Sequence, residues 1–291
     1  RGCTRTCIWV SGKMTLLTKQ FRGIPQIFLK NSGKFQETCR LEDNVVILNK
    51  FIKYGIKKIT FTGGEATLYD GLWELIKRAK QANVYTNLIA NLVKIDSRFF
   101  KNIEKHINCL TMSLDGPDTD IQNKMTRNTN HFDNVLNTLD KIEHDQIKID
   151  KKVNTLVAKD NIDYIIKILP ILYKFSVNVW KLFQFIPFRF MAKQNRDLFS
   201  ISENEFTKLK NNIIIENNHR IKTIFQSTDD LKRSYFVVSS NGNVRSDAGT
   251  AEKTIGNLLE EDIEVIINKM YFGYSQYEYR KNTYSENLAV V

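Results

Sequence analysis

Between residues 56 and 188, short β-rich runs alternate with amphipathic stretches, and this alternation constrains the fold more than any other feature of the chain. "IKKITFTGG" (56–64) reads as a strand ending in a glycine turn, and "GLWELIKRAKQ" (71–81) spaces its apolar residues as a helix does. "VYTNLIAN" (84–91) is a second strand, followed by a helix around 96–106, and "CLTMSLDGP" (109–117) is a strand that runs into an Asp-Gly-Pro turn. Residues 132–144 read as helix, "IDKKVNTLVAK" (149–159) as strand, 161–174 as helix and "VNVWKLFQFIPF" (177–188) as strand. Strand–helix alternation at this spacing predicts an α/β fold with parallel strands and crossover helices, open or closed into a barrel.

Beyond about residue 190 the pattern changes. "SISENEFTKLKNN" (200–212) is a helix with a Ser N-cap. "RSYFVVSSNGNVRS" (233–246) is a hairpin, with Asn241-Gly242 as its turn between alternating runs. "IGNLLEEDIEVIINKM" (255–270) reads as a last helix, followed by a polar, aromatic tail. A solenoid repeat or low-complexity linker is not evident.

At 291 residues the chain suffices for one large α/β domain or two small ones, with 42% hydrophobic and 26% charged residues. No apolar run reaches membrane-spanning length, and no signal peptide follows Arg1. The net charge of +11 suits nucleic acid, an anionic surface or a phosphorylated small molecule. Because the excess is spread over many lysines rather than packed into one block, nucleic acid is disfavoured, and no membrane partner is expected. Four cysteines, at 3, 7, 39 and 109, do not form a disulfide framework and fit a reducing cytoplasm. The four histidines (106, 131, 144 and 219) lack the spacing of a zinc site.

In parallel α/β folds, sites gather at the C-terminal ends of strands. Gly63, Gly64 and Glu65 follow the strand "ITFT"; Ser113 and Asp115 close "LTMSLD"; Asn154 lies in "KVNTLV", and Lys181 and Gln184 in "WKLFQF". Paired glycines let backbone approach a ligand closely, and a carboxylate beside them can accept charge-assisted hydrogen bonds from an amino group. A tight turn with a surface Glu is the plainer account of the same residues.

The chain opens on "RGCTRTCIWV", with Cys3, Cys7 and Trp9 at fixed spacing. With "TFTGGEATL", "LTMSLDGP", "VNTLVAKDN" and "WKLFQFIP" in order over residues 1–190, it resembles the radical S-adenosylmethionine (SAM) superfamily. That family's loop reads C-x3-C-x-aromatic-C. The resemblance implies a partial (β/α)6 barrel over 1–190 with a small α+β C-terminal cap over 191–291. It implies a [4Fe–4S] cluster held by Cys3 and Cys7, and SAM held by Trp9, Gly63, Gly64, Glu65, Ser113, Arg127 and Asn154. In particular, Ser113 and Asn154 would meet the ribose and carboxylate of SAM, and Arg127 the carboxylate through its fork. An electron donor such as flavodoxin or ferredoxin is implied as partner. Members carry a first strand before the loop, so the natural protein is expected to extend further at its N-terminus.

The C-terminal order "KVN", "WKLFQ", "ISENEF", "SYFVVSSNG" and "VRS" resembles the viperin-type nucleotide dehydratases. This implies a nucleoside triphosphate substrate bound by Lys152, Lys181 and Arg245, Tyr235 as hydrogen-atom donor, and a role in antiviral defence. A peptide-modifying maturase is the enzymatic alternative.

Val10 stands where the family's third thiolate belongs, and valine offers no donor. Three accounts follow: a functional enzyme whose third ligand was lost or omitted from this sequence, a degenerate cluster-less paralogue acting as a binding protein, or a redox or structural cysteine pair. Trp9 at the family's aromatic position disfavours the last.

Overall fold

The structure, a computed structural model, describes residues 6–15 and 22–28 by their backbone, and residues 40–63, 65–126, 130–186, 196–227, 230, 236–247 and 252–269. Two units make up the chain: residues 1–90, 101–108 and 232–291 in the first, and 91–100 and 109–231 in the second.

In chain order the elements are β1 (Thr6–Thr15), β2 (Arg22–Phe28), α1 (Leu41–Lys53), β3 (Lys58–Gly63), α2 (Leu72–Gln81), β4 (Tyr85–Ala90) and α3 (Ser97–His106). They continue as β5 (Cys109–Ser113), α4 (Thr119–Met125), α5 (His131–His144), β6 (Asp150–Val157), α6 (Leu169–Lys174), β7 (Val179–Gln184) and a single helical turn α7 (Arg196–Phe199). The remainder is α8 (Glu203–Asn217), β8 (Lys222–Gln226), β9 (Phe236–Val238), β10 (Asn243–Asp247), β11 (Glu252–Asn257) and α9 (Ile263–Asn268).

In the first unit the strands lie in the order β11-β10-β9-β2-β1-β3-β4. Strand β1 is antiparallel to both β2 and β3, while β3 and β4 are parallel. Ile59 and Phe61 of β3 are fully buried, as are Leu72, Leu75, Ile76 and Ala79 of α2, whose i, i+3, i+4, i+7 spacing makes one apolar face. Each of the larger of these side chains, Ile, Phe or Leu, contributes about 1.5–3 kcal/mol of burial. Gly242, at φ +81°, makes the turn between β9 and β10, as Asn241-Gly242 predicts.

In the second unit β5, β6, β7 and β8 form an all-parallel sheet in sequence order. Alternate residues separate its faces. One face carries Leu110, Met112, Val153, Thr155, Val157, Trp180 and Leu182, all fully buried, as parallel sheets covered by their crossover helices require. Helix α5 buries Phe132, Val135, Leu139 and Ile142. Helix α8 begins with a reciprocal capping box in which Ser202 and Glu205 each bond the other's backbone N–H, and it ends at Asn218, φ +41°. Among the described residues, no helix is long and apolar enough to cross a membrane.

Three stretches differ from the sequence expectation. The region 255–270 is not one helix: Glu252–Asn257 is a strand paired with β10, and only Ile263–Asn268 is helical. Asn257 Nδ2 donates to Asn241 O at 3.1 Å and Asn243 Oδ1 at 3.0 Å, tying the segment to the hairpin. The expected helix over 161–174 shrinks to a 3-10 turn at Ile165–Ile168 and α6, because Asn161 is committed to the preceding loop. The cysteine segment, expected as a loop, has Cys7 within a ten-residue strand. Helix α1 and strands β2 and β8 were not anticipated; the tail over 270–291 lies outside the described residues.

Candidate functional site

The first unit holds the glycine turn and the cysteine segment. Pairing of β1 with β3 puts Thr6 opposite Gly63, Cys7 opposite Thr62, Trp9 opposite Thr60 and Val10 opposite Ile59. The cysteine segment therefore runs beside the C-terminal end of β3, where the Gly63 turn begins. Cys3 and Gly64 lie outside the described residues. Glu65 is buried, and its Oε1 accepts from the Thr67 N–H at 2.9 Å and the Thr67 hydroxyl at 2.6 Å. The carboxylate thus caps the turn at Ala66–Leu68. On β4, Asn87 Nδ2 donates to Thr60 Oγ1 at 3.2 Å, a buried polar pair absent from the sequence reading. Arg245 is half-buried on β10, opposite Val237 and Thr254; Arg127 and Tyr235 fall outside the described residues.

The second unit brings four of the expected residues onto one sheet face. Ser113 of β5 is paired in register with Asn154 of β6, and Asn154 with Lys181 of β7. Parallel partners in register project to the same side, so these three make a transverse row. Lys152, two residues before Asn154, occupies the same face one row lower, between Thr111 and Val179. Lys181 is only 2% exposed, and its ammonium lies 4.3 Å from the centroid of Phe183, also on this face. The Asn154 side-chain oxygen is buried, with no hydrogen-bond partner among the described residues. A buried acceptor is costly to leave unpaired, so this oxygen is open to a donor from water or from a ligand.

At the C-terminal end of this row a polar network closes the sheet. Asp115 Oδ1 accepts from Leu156 N–H at 2.7 Å, which laces β5 to β6 one step above Ser113 and Asn154. Gln122 Oε1 accepts from the N–H groups of Asp115 at 2.7 Å and Gly116 at 3.2 Å. Gly116 is required there, since a Cβ would lie 2.8 Å from the Ile121 carbonyl carbon. Asn161 Nδ2 donates to Asp115 O and Leu156 O, both at 2.7 Å. Burial pushes the Asp115 carboxyl up to about 6, against the Leu156 N–H, His131 and Gln122, which pull it down.

His131 is a positioning residue that the sequence reading passed over. Its ring nitrogens lie 2.7 Å from Ser113 O and 3.2 Å from Asn91 O, so the buried imidazole grips the backbone of the serine itself. Its place at the first residue of α5 was the available signal.

The donor sets can be weighed against SAM and a cluster. Asn154 Oδ1 fits a ribose hydroxyl or an ammonium but not a carboxylate, since an acceptor cannot serve an acceptor. Because the side chain also carries an Nδ2 donor, the ribose and the carboxylate of SAM both remain expected contacts of Asn154. For a cluster, Cys3 and Cys7 with Val10 supply one thiolate fewer than the family's three. Among the described residues, no three His, Cys, Asp or Glu side chains gather as a metal site.

Comparison with known proteins gives a consistent picture. The Radical SAM superfamily profile matches residues 1–169, more than half of the chain. An S-adenosylmethionine-dependent nucleotide dehydratase of Flammeovirga pacifica is 24% identical over 255 residues, covering 84% of this chain and 82% of that protein. A second, from Lacinutrix mariniflava, is 25% identical over 252 residues, and the chain spans 51% of its length. Among solved structures, Streptococcus suis SuiB bound to S-adenosylmethionine superposes with a TM-score of 0.65 at 14% identity, over 86% of this chain and 62% of SuiB. This likeness shows the shared α/β fold.

Proposed function

The chain belongs to the radical SAM superfamily, and on that premise we propose that it is a SAM-dependent nucleotide dehydratase, removing water from the ribose of a nucleoside triphosphate. The observation that carries this reading is the row Ser113–Asn154–Lys181, which places a hydroxyl, an orphan amide oxygen and a buried ammonium side by side. The names of the Flammeovirga and Lacinutrix relatives support the same substrate class.

Cys3 and Cys7 would hold a [4Fe–4S] cluster beside bound SAM, and the two groups together would supply the radical chemistry of the family. The task of this chain's residues is placement. Asn154 Oδ1 accepts from a sugar hydroxyl, and Ser113, held through its backbone by His131, fixes the neighbouring position. Lys181 and Lys152, on the same face, meet phosphate oxygens as point charges. Arg245 is a further proposed phosphate contact and Tyr235 the proposed hydrogen-atom donor, while Arg127 completes the proposed SAM contacts. Fully buried side chains on the opposite sheet face keep the row rigid, which is what positioning a single C–H bond demands.

Val10 favours a second reading, a paralogue that binds SAM and nucleotide without radical chemistry. One experiment separates them. The chain is reconstituted anaerobically with iron and sulfide, then incubated with dithionite, SAM and each nucleoside triphosphate. The dehydratase reading expects 5′-deoxyadenosine and a nucleotide lighter by one water. Nucleotide and SAM binding with no 5′-deoxyadenosine supports the paralogue. 5′-Deoxyadenosine without any nucleotide product, and with a peptide substrate modified instead, overturns the nucleotide assignment.

A further inference from the structure

We propose that Lys222 on β8 is the third cation of a polyphosphate-binding face, and that it makes the chain select a triphosphate over shorter phosphates. The inference deepens the nucleotide reading and rests on it. Register carries the argument. Lys152 pairs with Val179, and Val179 with Lys222, so Lys152 and Lys222 stand in one row with a single small apolar residue between them. Lys181 stands one row higher, on the strand between theirs, paired with Asn154 and Ile224. All three lysines project from the same face, since each is separated from that row or the next by an even number of residues.

With strands about 4.8 Å apart and about 6.6 Å per two residues, the three Cα atoms form a triangle with sides of about 8–10 Å. Lysine stems of that reach converge readily on one ligand. A triphosphate, with three phosphorus centres in a chain, matches such a triangle better than a single phosphate does. The face is electropositive by composition. Among the described residues of β5 to β8 it holds Lys152, Lys181 and Lys222 against one carboxylate, Asp150, at the exposed start of β6. Its other residues, Thr111, Ser113, Asn154, Ile224 and Gln226 among them, are uncharged.

Position along the strands separates the roles. Lys152 and Lys222 share the lower row; Lys181 and Asn154 share the next; Leu156 and Phe183 share the one above. The order runs from cations through a hydroxyl acceptor to apolar side chains, as it does along a nucleotide from phosphates through sugar to base. Lys222 sits at the phosphate end of that order, beyond Lys181, where a terminal phosphate would reach. A diphosphate held by Lys152 and Lys181 would gain least from it.

The test uses the full chain and inorganic tripolyphosphate and pyrophosphate as probes, with affinity read by titration calorimetry at fixed salt, independently of cluster loading or turnover. Lys222→Ala and Lys222→Gln are compared with Lys152→Ala, Lys181→Ala and the exposed control Lys208→Ala, each checked for a native melt. The expected result is a loss of about tenfold in tripolyphosphate affinity for both Lys222 variants, the scale of one charge-assisted contact. Pyrophosphate affinity stays within about twofold, Lys222→Arg restores tripolyphosphate binding, and Lys208→Ala changes neither. If Lys152→Ala and Lys181→Ala lose tripolyphosphate while the Lys222 variants do not, the inference falls and the nucleotide reading stands. If none of the three sites affects either probe, both fall.

Discussion

Asn154 on β6 is paired in register with Lys181 on β7, so a buried ammonium and an amide oxygen without a partner among the described residues stand on adjacent strands facing the same way. An acceptor that the protein itself leaves unpaired adds little to stability until a water or a ligand donates to it. Asn154→Ala is therefore expected to leave Tm unchanged or raised while the KM for nucleotide or SAM rises about tenfold or more. Thermal melts and initial rates on the same preparations check it. A falling Tm with an unchanged KM would make Asn154 a packing residue.

Trp180 Nε1 donates to Thr155 Oγ1 at 2.8 Å, and that hydroxyl donates onward to Leu114 O at 2.6 Å. This fully buried relay joins β7, β6 and the end of β5 on the face away from the candidate site. Thr155→Val keeps the shape but orphans both the indole N–H and the carbonyl. The expected loss is about 2–4 kcal/mol, read as a Tm lower by about 5–10 °C. Nucleotide KM should hold at temperatures where the variant is folded.

Asp115 contributes to the pH dependence of stability in the second unit. Burial raises its carboxyl from 3.8 to about 6, so the folded chain binds this proton more tightly than the unfolded one. Its favourable contribution is full below about pH 4 and is lost as pH rises through about 6. Asp115→Asn keeps an acceptor for the Leu156 N–H but cannot titrate. Wild type minus variant stability should fall between about pH 4.5 and 7 by on the order of 1–2 kcal/mol, allowing for the residue's partial exposure. Melts across that range test it, and a difference that does not vary with pH refutes it.

Val10→Cys restores a thiolate at the third position of the spacing that Cys3 and Cys7 begin. After anaerobic reconstitution, the variant should hold iron and sulfide nearer about four each per chain, with sulfur-to-iron charge-transfer absorbance stronger than wild type. Equal, near-zero iron in both proteins would remove the cysteine segment from consideration as a cluster loop.

Much of the fold was legible because hydrophobic period is local. The spacing within "GLWELIKRAKQ" and the alternation within "KKITFTGG" specify helix and strand from a few neighbours, and both appear where expected, as α2 and β3. Glu252–Asn257 resisted the same treatment. Its residues are compatible with either state, and pairing with β10 and the anchoring of Asn257 decided for strand. The five residues of β8 are too few for a period to emerge, which hid Lys222. His131 and Asn161 reach backbone carbonyls far along the chain, Ser113 and Asp115, contacts that local spacing does not reveal.

By itself, the amino-acid sequence determined the α/β class, the order of the motifs and the polar residues near strand ends, because each depends on residues close in the chain. It also determined that a thiolate is missing at position 10, which no folding can supply. Tertiary structure alone decided that Ser113, Asn154 and Lys181 share one row, that Lys152 and Lys222 flank Val179, and that the Asn154 oxygen is buried without a partner among the described residues. Those are matters of register and burial. A shift of one residue in any strand would turn its side chains to the other face, and only the hydrogen bonds between distant segments prevent it.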